Sequence, residues 1–203
     1  MFDKRHMLNA WWTLFDQGLV SLGTFLVNVQ LARQLPAEEY GTFALLYGSF
    51  LGLQLFNSSL LFYPMSIRLS VIQGVEKNRL QSTTVALVVA LSIPLCVVIG
   101  AALFWAGRSE LILPALATFM AWQIQESMRR GLLAEFRHGA AIFGDTTAYQ
   151  GHMVGVAILS LTGHLTLANV LMVMAATYSI AAIIQAFQNG FAVLHQRPWS
   201  DGR

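Results

Sequence analysis

The sequence predicts an all-α protein, a polytopic membrane bundle of six transmembrane helices. Hydrophobic residues make up 56% of the 203-residue chain and charged residues only 11%, with a mean hydropathy of +0.58. A soluble domain carries about a quarter charged residues. Six stretches approach the ~20 apolar residues needed to cross a bilayer core. Basic residues also alternate in density between successive connections. A chain of this length cannot hide so much apolar surface by folding on itself; lipid supplies the remaining cover.

The first span is Ala10–Ala32, apolar overall but interrupted by Asp16, Gln17, Ser21, Thr24 and Asn28. The second is Gly41–Tyr63. The third, Thr84–Trp105, carries no charged side chain, and its Pro94 predicts a kink, since neighbouring helices can support the freed carbonyl. The fourth, Leu111–Met128, is crowded at its end by Gln123, Gln125 and Glu126. Ala140–Leu161 and Leu165–Phe187 complete the set. Barrel strands are excluded, because polar and apolar residues do not alternate and the apolar runs are too long. Gln73–Ser82 reads as a short polar loop. Arg129–His138 reads as an amphipathic extension of the fourth helix along the inner interface, with arginines snorkelling to headgroups. The bundle occupies residues 1–190 and a polar tail residues 191–203.

The termini and even-numbered connections hold 10 basic residues and the odd-numbered ones hold 2. The positive-inside rule then places both termini in the cytoplasm. The first span reads as uncleaved: Asp16 and Gln17 break the apolar run, and no small-x-small site follows at signal-peptide distance.

Several functions are excluded. The net charge of +2, without a basic run interleaved with aromatics, gives no nucleic-acid footprint. The single Cys96 allows no disulfide and no cysteine metal site within one chain. No HExxH, GxSxG, P-loop or CxxC occurs. Glu126, Arg130 and His138 form the nearest thing to a hydrolase constellation, but no second carboxylate stands beside Glu126. No enzyme activity, cofactor or metal is expected.

Polar residues recur on helical spacing. Thr13, Gln17, Ser21 or Thr24, and Asn28 form a stripe on the first helix, with Asp16 at its border. The second offers Tyr47, Gln54, Asn57 and Ser58; the fourth Thr118, Trp122, Gln125 and Arg129; the fifth Asp145, Tyr149 and His152; the sixth Asn169, Thr177, Tyr178, Gln185 and Gln188. The third offers almost nothing. This pattern predicts a bundle around a polar interior with the third helix outside, because polar groups inside spans face the interior. Asp16 faces that interior or pairs with Lys4 or Arg5; Asp145 pairs with Arg129 or Arg130 or meets a substrate. His152 is a satisfied core side chain or a proton carrier. Glu126 forms local pairs with Arg129 and Arg130. Gly18, Gly23, Gly48 and Gly52 read as points of close helix contact, Gly48 and Gly52 forming a GxxxG.

Two segments resemble a known family. VQLARQLPAEEYGTFALLYG (Val29–Gly48) is similar to the turn between the first two helices of polysaccharide flippases. These Wzx-like exporters of O-antigen and capsule units belong to the multidrug/oligosaccharidyl-lipid/polysaccharide (MOP) superfamily. Arg33, Leu35, Glu39, Tyr40, Gly41 and Phe43 match that pattern. WQIQESMRRGLLAEFRHGAAIFGDTTAYQG (Trp122–Gly151) resembles the region of their fourth and fifth helices. The turn suits a membrane: Pro36 opens a helical turn and Gly41 permits a sharp re-entry.

The resemblance implies one lobe of a MOP-type flippase in a bacterial inner membrane, exporting a lipid-linked oligosaccharide or polysaccharide precursor. Family members carry two such lobes, so it further implies a homodimer or a second six-helix lobe as partner, besides membrane lipid and the lipid-linked glycan. The substrate-facing residues are then Asp16, Gln17, Asn28, Gln54, Asn57, Trp122, Arg129, Arg130, Tyr149 and His152, the two arginines at the cytoplasmic rim. The alternative is a non-transporting partner or scaffold in a polysaccharide assembly complex.

Overall fold

The computed structural model describes residues 4–69, 71 and 75–190. Among these the chain is helical throughout, without a strand. The six long helices are α1 (Lys4–Gln34), α2 (Ala37–Leu69), α3 (Val75–Trp105), α4 (Ile112–Ala134), α5 (residues 138–161) and α6 (Leu167–Gln188). A 3-10 turn at Ser109–Leu111 leads into α4. Two helices carry an internal π turn, Ser58–Phe62 in α2 and Thr146–Gln150 in α5. Among the described residues, three segments are long and apolar enough to cross a membrane, Ala37–Leu69, Arg79–Trp105 and Leu167–Gln188. The polar residues of α1, α4 and α5 dilute their apolar character. The tail 191–203 lies outside the described residues.

Contacts between helix ends give an up-and-down order. At one end, Asp16 of α1, Phe62 of α2, Gln81 of α3, Arg129 and Arg130 of α4, Asp145 of α5 and Gln185 of α6 gather. At the other, the start of α2 meets the connection after α3 through Glu38 and Arg108, at 2.7 Å. There, too, Glu39 Oε2 accepts from the Leu167 amide at 3.2 Å, satisfying an N–H at the start of α6. The Glu38–Arg108 pair is exposed and adds little to stability.

α4 and α6 make the most extensive interface. Ala115, Phe119, Met174, Tyr178 and Ala181 are buried there, and Thr118 donates to the Leu171 carbonyl at 2.7 Å. α3 packs on the outer side of α4, α5 on α6, and α1 on α5. α2 makes lighter contacts, spread over α1, α3, α4 and α6.

Three local expectations are corrected. The polar segment after α2 is mostly helix: α3 starts at Val75, with Glu76 in its first turn favoured by the helix dipole. Gln73 lies outside the described residues. Gln81, Thr84 and Ser92 of α3 are buried, so this helix does contribute polar groups. The turn from α1 to α2 is made at Leu35–Pro36, where Pro36 is extended (φ −53°, ψ 146°); Gly41 is already inside α2 with open space beside it.

The glycine seam is also elsewhere than expected. A Cβ at Gly48 or Gly52 would meet nothing within 4 Å. Gly144, Gly151 and Gly155, with Ala148, instead line α5 at steps of four, three and four. Added methyls there would strike Gln185, Thr177 and Val173 of α6 respectively. These small residues let the two backbones approach. Gly23 of α1 seats the Tyr149 Cβ in the same manner.

Candidate functional site

Arg129 is the hub of a buried charge cluster. It sits five residues before the end of α4, with its side chain only 12% exposed. Its Nε donates to Asp145 Oδ2 at 2.6 Å and its Nη2 to Asp16 Oδ2 at 2.8 Å, while Nη1 lies 3.5 Å from Glu126 Oε2. Glu126 Oε1 accepts from Arg130 Nε at 2.7 Å, one turn along the same helix. Gln125 and Gln185 both donate to Asp145 Oδ1, at 3.0 and 3.2 Å. Four helices are tied by one guanidinium and one carboxylate. The fork of an arginine suits this role, because its donors can engage several carboxylates at once.

Two expectations change accordingly. Arg129 does not snorkel: α4 continues to Ala134 and turns its guanidinium inward. Its donors are occupied by carboxylates, which leaves Arg130 as the arginine at the rim, its guanidinium 5.0 Å from the Phe62 ring centroid. Asp16 pairs with Arg129; the side chains of Lys4 and Arg5 lie outside the described residues. The chain reverses after α4 through Phe136, which takes the left-handed conformation (φ 57°), and Arg137 Nη1 donates to the Gln188 carbonyl at 2.8 Å.

A second polar joint lies on the other side of α4. Asn57 Nδ2 donates to Gln123 Oε1 at 2.7 Å and approaches Ser92 Oγ at 3.3 Å, joining α2, α3 and α4. All three side chains are fully buried. Asn57→Ala is expected to cost about 1–3 kcal/mol by leaving the Gln123 carbonyl unsatisfied, read from the unfolding transition in detergent. Gln54, one turn before Asn57, is buried, and its Oε1 finds no partner among the described residues.

Between the joints runs a ladder of rings. Phe43 and Tyr47 of α2 stack at 5.8 Å, Tyr47 and Trp122 of α4 at 6.2 Å, and Trp122 and Tyr178 of α6 at 6.1 Å. Tyr149 and His152 of α5 close on Tyr178 edge-to-face, at 6.1 and 4.5 Å. His152 is buried against these rings, and its Nε2 has no hydrogen-bond partner among the described residues. Trp122 and Tyr149 are packing elements of this ladder.

Some of the polar side chains therefore converge inward onto one another, while Trp122 Nε1, Gln123 Nε2, His152 Nε2 and the Tyr178 hydroxyl are buried without a partner among the described residues. The void they leave, beside Thr24, Asn28, Tyr47 and His152, measures about 10 Å³. That is room for roughly one water molecule and not for a sugar. Two larger grooves, about 660 and 580 Å³, lie along α3; the first is almost wholly apolar, and the second is mostly apolar with Glu38, Thr42, Ser49 and Arg108 in its lining. They suit acyl chains.

α1 carries an outward polar stripe. Its buried line is Asp16, Gly23, Val27, Leu31 and Leu35. Gln17 and Ser21 face outward, with Thr24 and Asn28 half-buried along the same stripe. Thr24 lies within hydrogen-bonding reach of Tyr47, and Asn28 Nδ2 donates to its own helix at the Thr24 carbonyl, 2.9 Å away. Of the ten candidate residues, the structure brings Asp16 and Arg129 into contact and leaves Arg130 at their edge. It gathers Trp122, Tyr149 and His152 into the ladder, and sets Gln54 and Asn57 apart from Gln17 and Asn28. Gln123, Ser92, Gln81 and Asn189 were missed. Amides in otherwise apolar runs were the available signal for Gln123; the buried state of Asn189, which donates to the Met128 carbonyl at 3.0 Å, had none.

The chain matches no protein-family model, no curated protein and no solved structure.

Proposed function

We propose that this chain is one six-span lobe of a bacterial inner-membrane transporter, a flippase for a lipid-linked oligosaccharide or polysaccharide precursor, with both termini cytoplasmic. The resemblance of Val29–Gly48 and Trp122–Gly151 to MOP-type exporters supplies the substrate class. The outward polar stripe of α1 is the single observation that supports transport. Outward amide and hydroxyl groups on a membrane helix are costly against lipid tails and are tolerated beside water or a polar partner. Gln17 and Ser21, continued by Thr24 and Asn28, make one wall of such a path. A second lobe, in a homodimer or on a separate chain, makes the facing wall. The sugar runs between the walls while its lipid tail stays in the bilayer, where the apolar grooves along α3 offer it a track.

The test is glycan export in a complementation assay, scored against membrane protein level. Gln17→Leu combined with Ser21→Leu is expected to lower export at least tenfold with insertion unchanged. Leu22→Ala, at an outward apolar position beside the stripe, is the control. Full export by the double variant removes the basis for the wall.

A specific observation favours a second reading, a scaffold in a polysaccharide assembly complex. Two interior polar clusters, Asn57 with Gln123 and Asp145 with Gln125 and Arg129, are bonded across helices, as a rigid joint requires. A scaffold predicts a stable complex with a synthase or polymerase and export indifferent to Gln17 and Ser21.

A further inference from the structure

The second groove along α3 is charged at one end only. Its wall on α2 runs from Glu38 to Leu53, and its wall on α3 from Val98 to Ala106, with Arg108 just beyond. Small residues make the space: Ser49 and Gly52 line one wall, Ala102 and Ala106 the other. A Cβ at Gly52 would meet nothing within 4 Å. The Thr42 and Ser49 hydroxyls donate to carbonyls of their own helix, at 2.9 and 2.8 Å. Past Thr42 the rest of the lining is apolar.

The way α3 stops fixes the charged end. Gly107 takes the left-handed conformation (φ 70°), its N–H donates to the Phe104 carbonyl at 3.1 Å, and the Arg108 N–H reaches back to the Leu103 carbonyl at 2.9 Å. This paired closure is the glycine stop common at helix ends. It sets the Arg108 side chain, 24% exposed, at the mouth of the groove. Nη2 donates to Glu38 Oε1 at 2.7 Å, whereas Glu110 Oε1 lies 3.8 Å from Nη1, too far for a hydrogen bond. Among the described residues, Nη1 and Nε have no acceptor. Two carboxylates and one guanidinium leave the mouth with one negative charge in excess.

The dimensions match one acyl chain. At a rise of about 1.5 Å per residue, the α2 wall is about 22 Å long. One leaflet, from headgroups to midplane, is about 20–22 Å thick. Spread over that length, the 580 Å³ volume gives a mean cross-section of roughly 26 Å², while a helix about 10 Å across needs roughly 80 Å². The groove is too narrow for a helix of a partner or of a second copy, and wide enough for an extended hydrocarbon chain. The mouth chooses the headgroup. A phosphate accepts from the spare guanidinium donors. A primary ammonium donates to Glu38 Oε2 and to Glu110, and cancels the excess charge. A quaternary ammonium has no hydrogen to donate, and a glycerol headgroup brings no cation.

We propose that the groove between α2 and α3 holds one bilayer phospholipid with a phosphoethanolamine headgroup. One acyl chain lies along the groove, the phosphate sits on Arg108, and the ammonium sits between Glu38 and Glu110. The direct contact between α2 and α3 is light, and the lipid fills the gap they leave. The first groove has no charged residue in its lining and stays open to the tail of a carried lipid. This stands whether or not the chain carries a glycan.

Native mass spectrometry tests it on the intact protein, released from nanodiscs made of equal parts phosphatidylethanolamine, phosphatidylcholine and phosphatidylglycerol with matched acyl chains. One retained phospholipid per chain is expected, with phosphatidylethanolamine about fivefold over each of the others, the scale of an exposed ion pair. The wild type alone reads this preference, so misfolding cannot confound it. Glu38→Gln combined with Glu110→Gln should erase the preference and keep one lipid bound. Gly52→Leu, whose side chain enters the open space of the groove, should lose the lipid, with helix content checked by circular dichroism. Equal retention of the three headgroups, or a preference that survives the double variant, overturns the headgroup. Retention of lipid by Gly52→Leu overturns the groove as its place. A dimer that Gly52→Leu dissociates, or displacement of the phospholipid by equimolar polyprenyl phosphate, overturns the resident phospholipid in favour of a second copy or of a carried lipid.

Discussion

Replacing Arg129 with leucine should cost the folded bundle about 3–5 kcal/mol, the usual loss when a buried ion pair is broken from one side. The guanidinium binds Asp16 and Asp145 within 3 Å and faces Glu126, so its removal leaves three buried acids around a single remaining arginine. Arg129→Lys should recover only part of the loss, because one ammonium cannot reproduce the planar fork that reaches across three helices. Joint replacement of Arg129, Asp16 and Asp145 by apolar residues of similar size should recover more, since exchanging a whole ionic group for packing is often neutral. Unfolding in detergent or bicelles, followed by circular dichroism, measures each variant. A loss below about 1 kcal/mol for Arg129→Leu, the range of exposed pairs, would remove the guanidinium from the joint.

The next largest effect is expected along the seam between α5 and α6. Gly155→Val drives a branched side chain into Val173, and Gly151→Val meets Thr177 Cγ2 at 2.9 Å from its own Cβ. Each should cost about 1–3 kcal/mol by overpacking. The two positions share one interface, so the double variant should depart from the sum of the singles. Gly48→Ala is the contrast: its Cβ enters open space, and alanine has the better helix propensity by about 1 kcal/mol. The same unfolding assay reads all three. Equal losses at Gly48 and Gly155 would contradict the seam.

Much of the helical plan was legible because apolar runs of that length leave few alternatives. Each of the six predicted stretches lies largely within one helix. Inward orientation was legible on α5, where Asp145, Tyr149 and His152 follow one another at steps of four and three and are all buried. It was not legible on α1. Asp16 and Gln17 are neighbours in sequence, about 100° apart around a helix axis, and only one could be buried. Apolar periodicity cannot choose between faces when the outside is also apolar. The choice came from Arg129, more than a hundred residues away. Of the four glycines read as contact points only Gly23 is one, for the same reason: Gly48 and Gly155 differ only in what another helix places opposite them. The π turns at Ser58–Phe62 and Thr146–Gln150 had no composition signal; each begins directly after a buried polar residue, Asn57 or Asp145, that bonds across the bundle.

The two poles of the bundle are fastened by different physics, and this shapes how each can change over generations. At the Glu38–Arg108 pole, the salt link is exposed and the grooves are greasy, so drift can proceed one replacement at a time, each altering a contact area by a small increment. At the Arg129 pole, charge is conserved as an integer. Turning one acid there into an amide shifts an electrical sum, and a second, compensating change must follow. Homologous chains should therefore vary singly at the first pole and in matched pairs at the second.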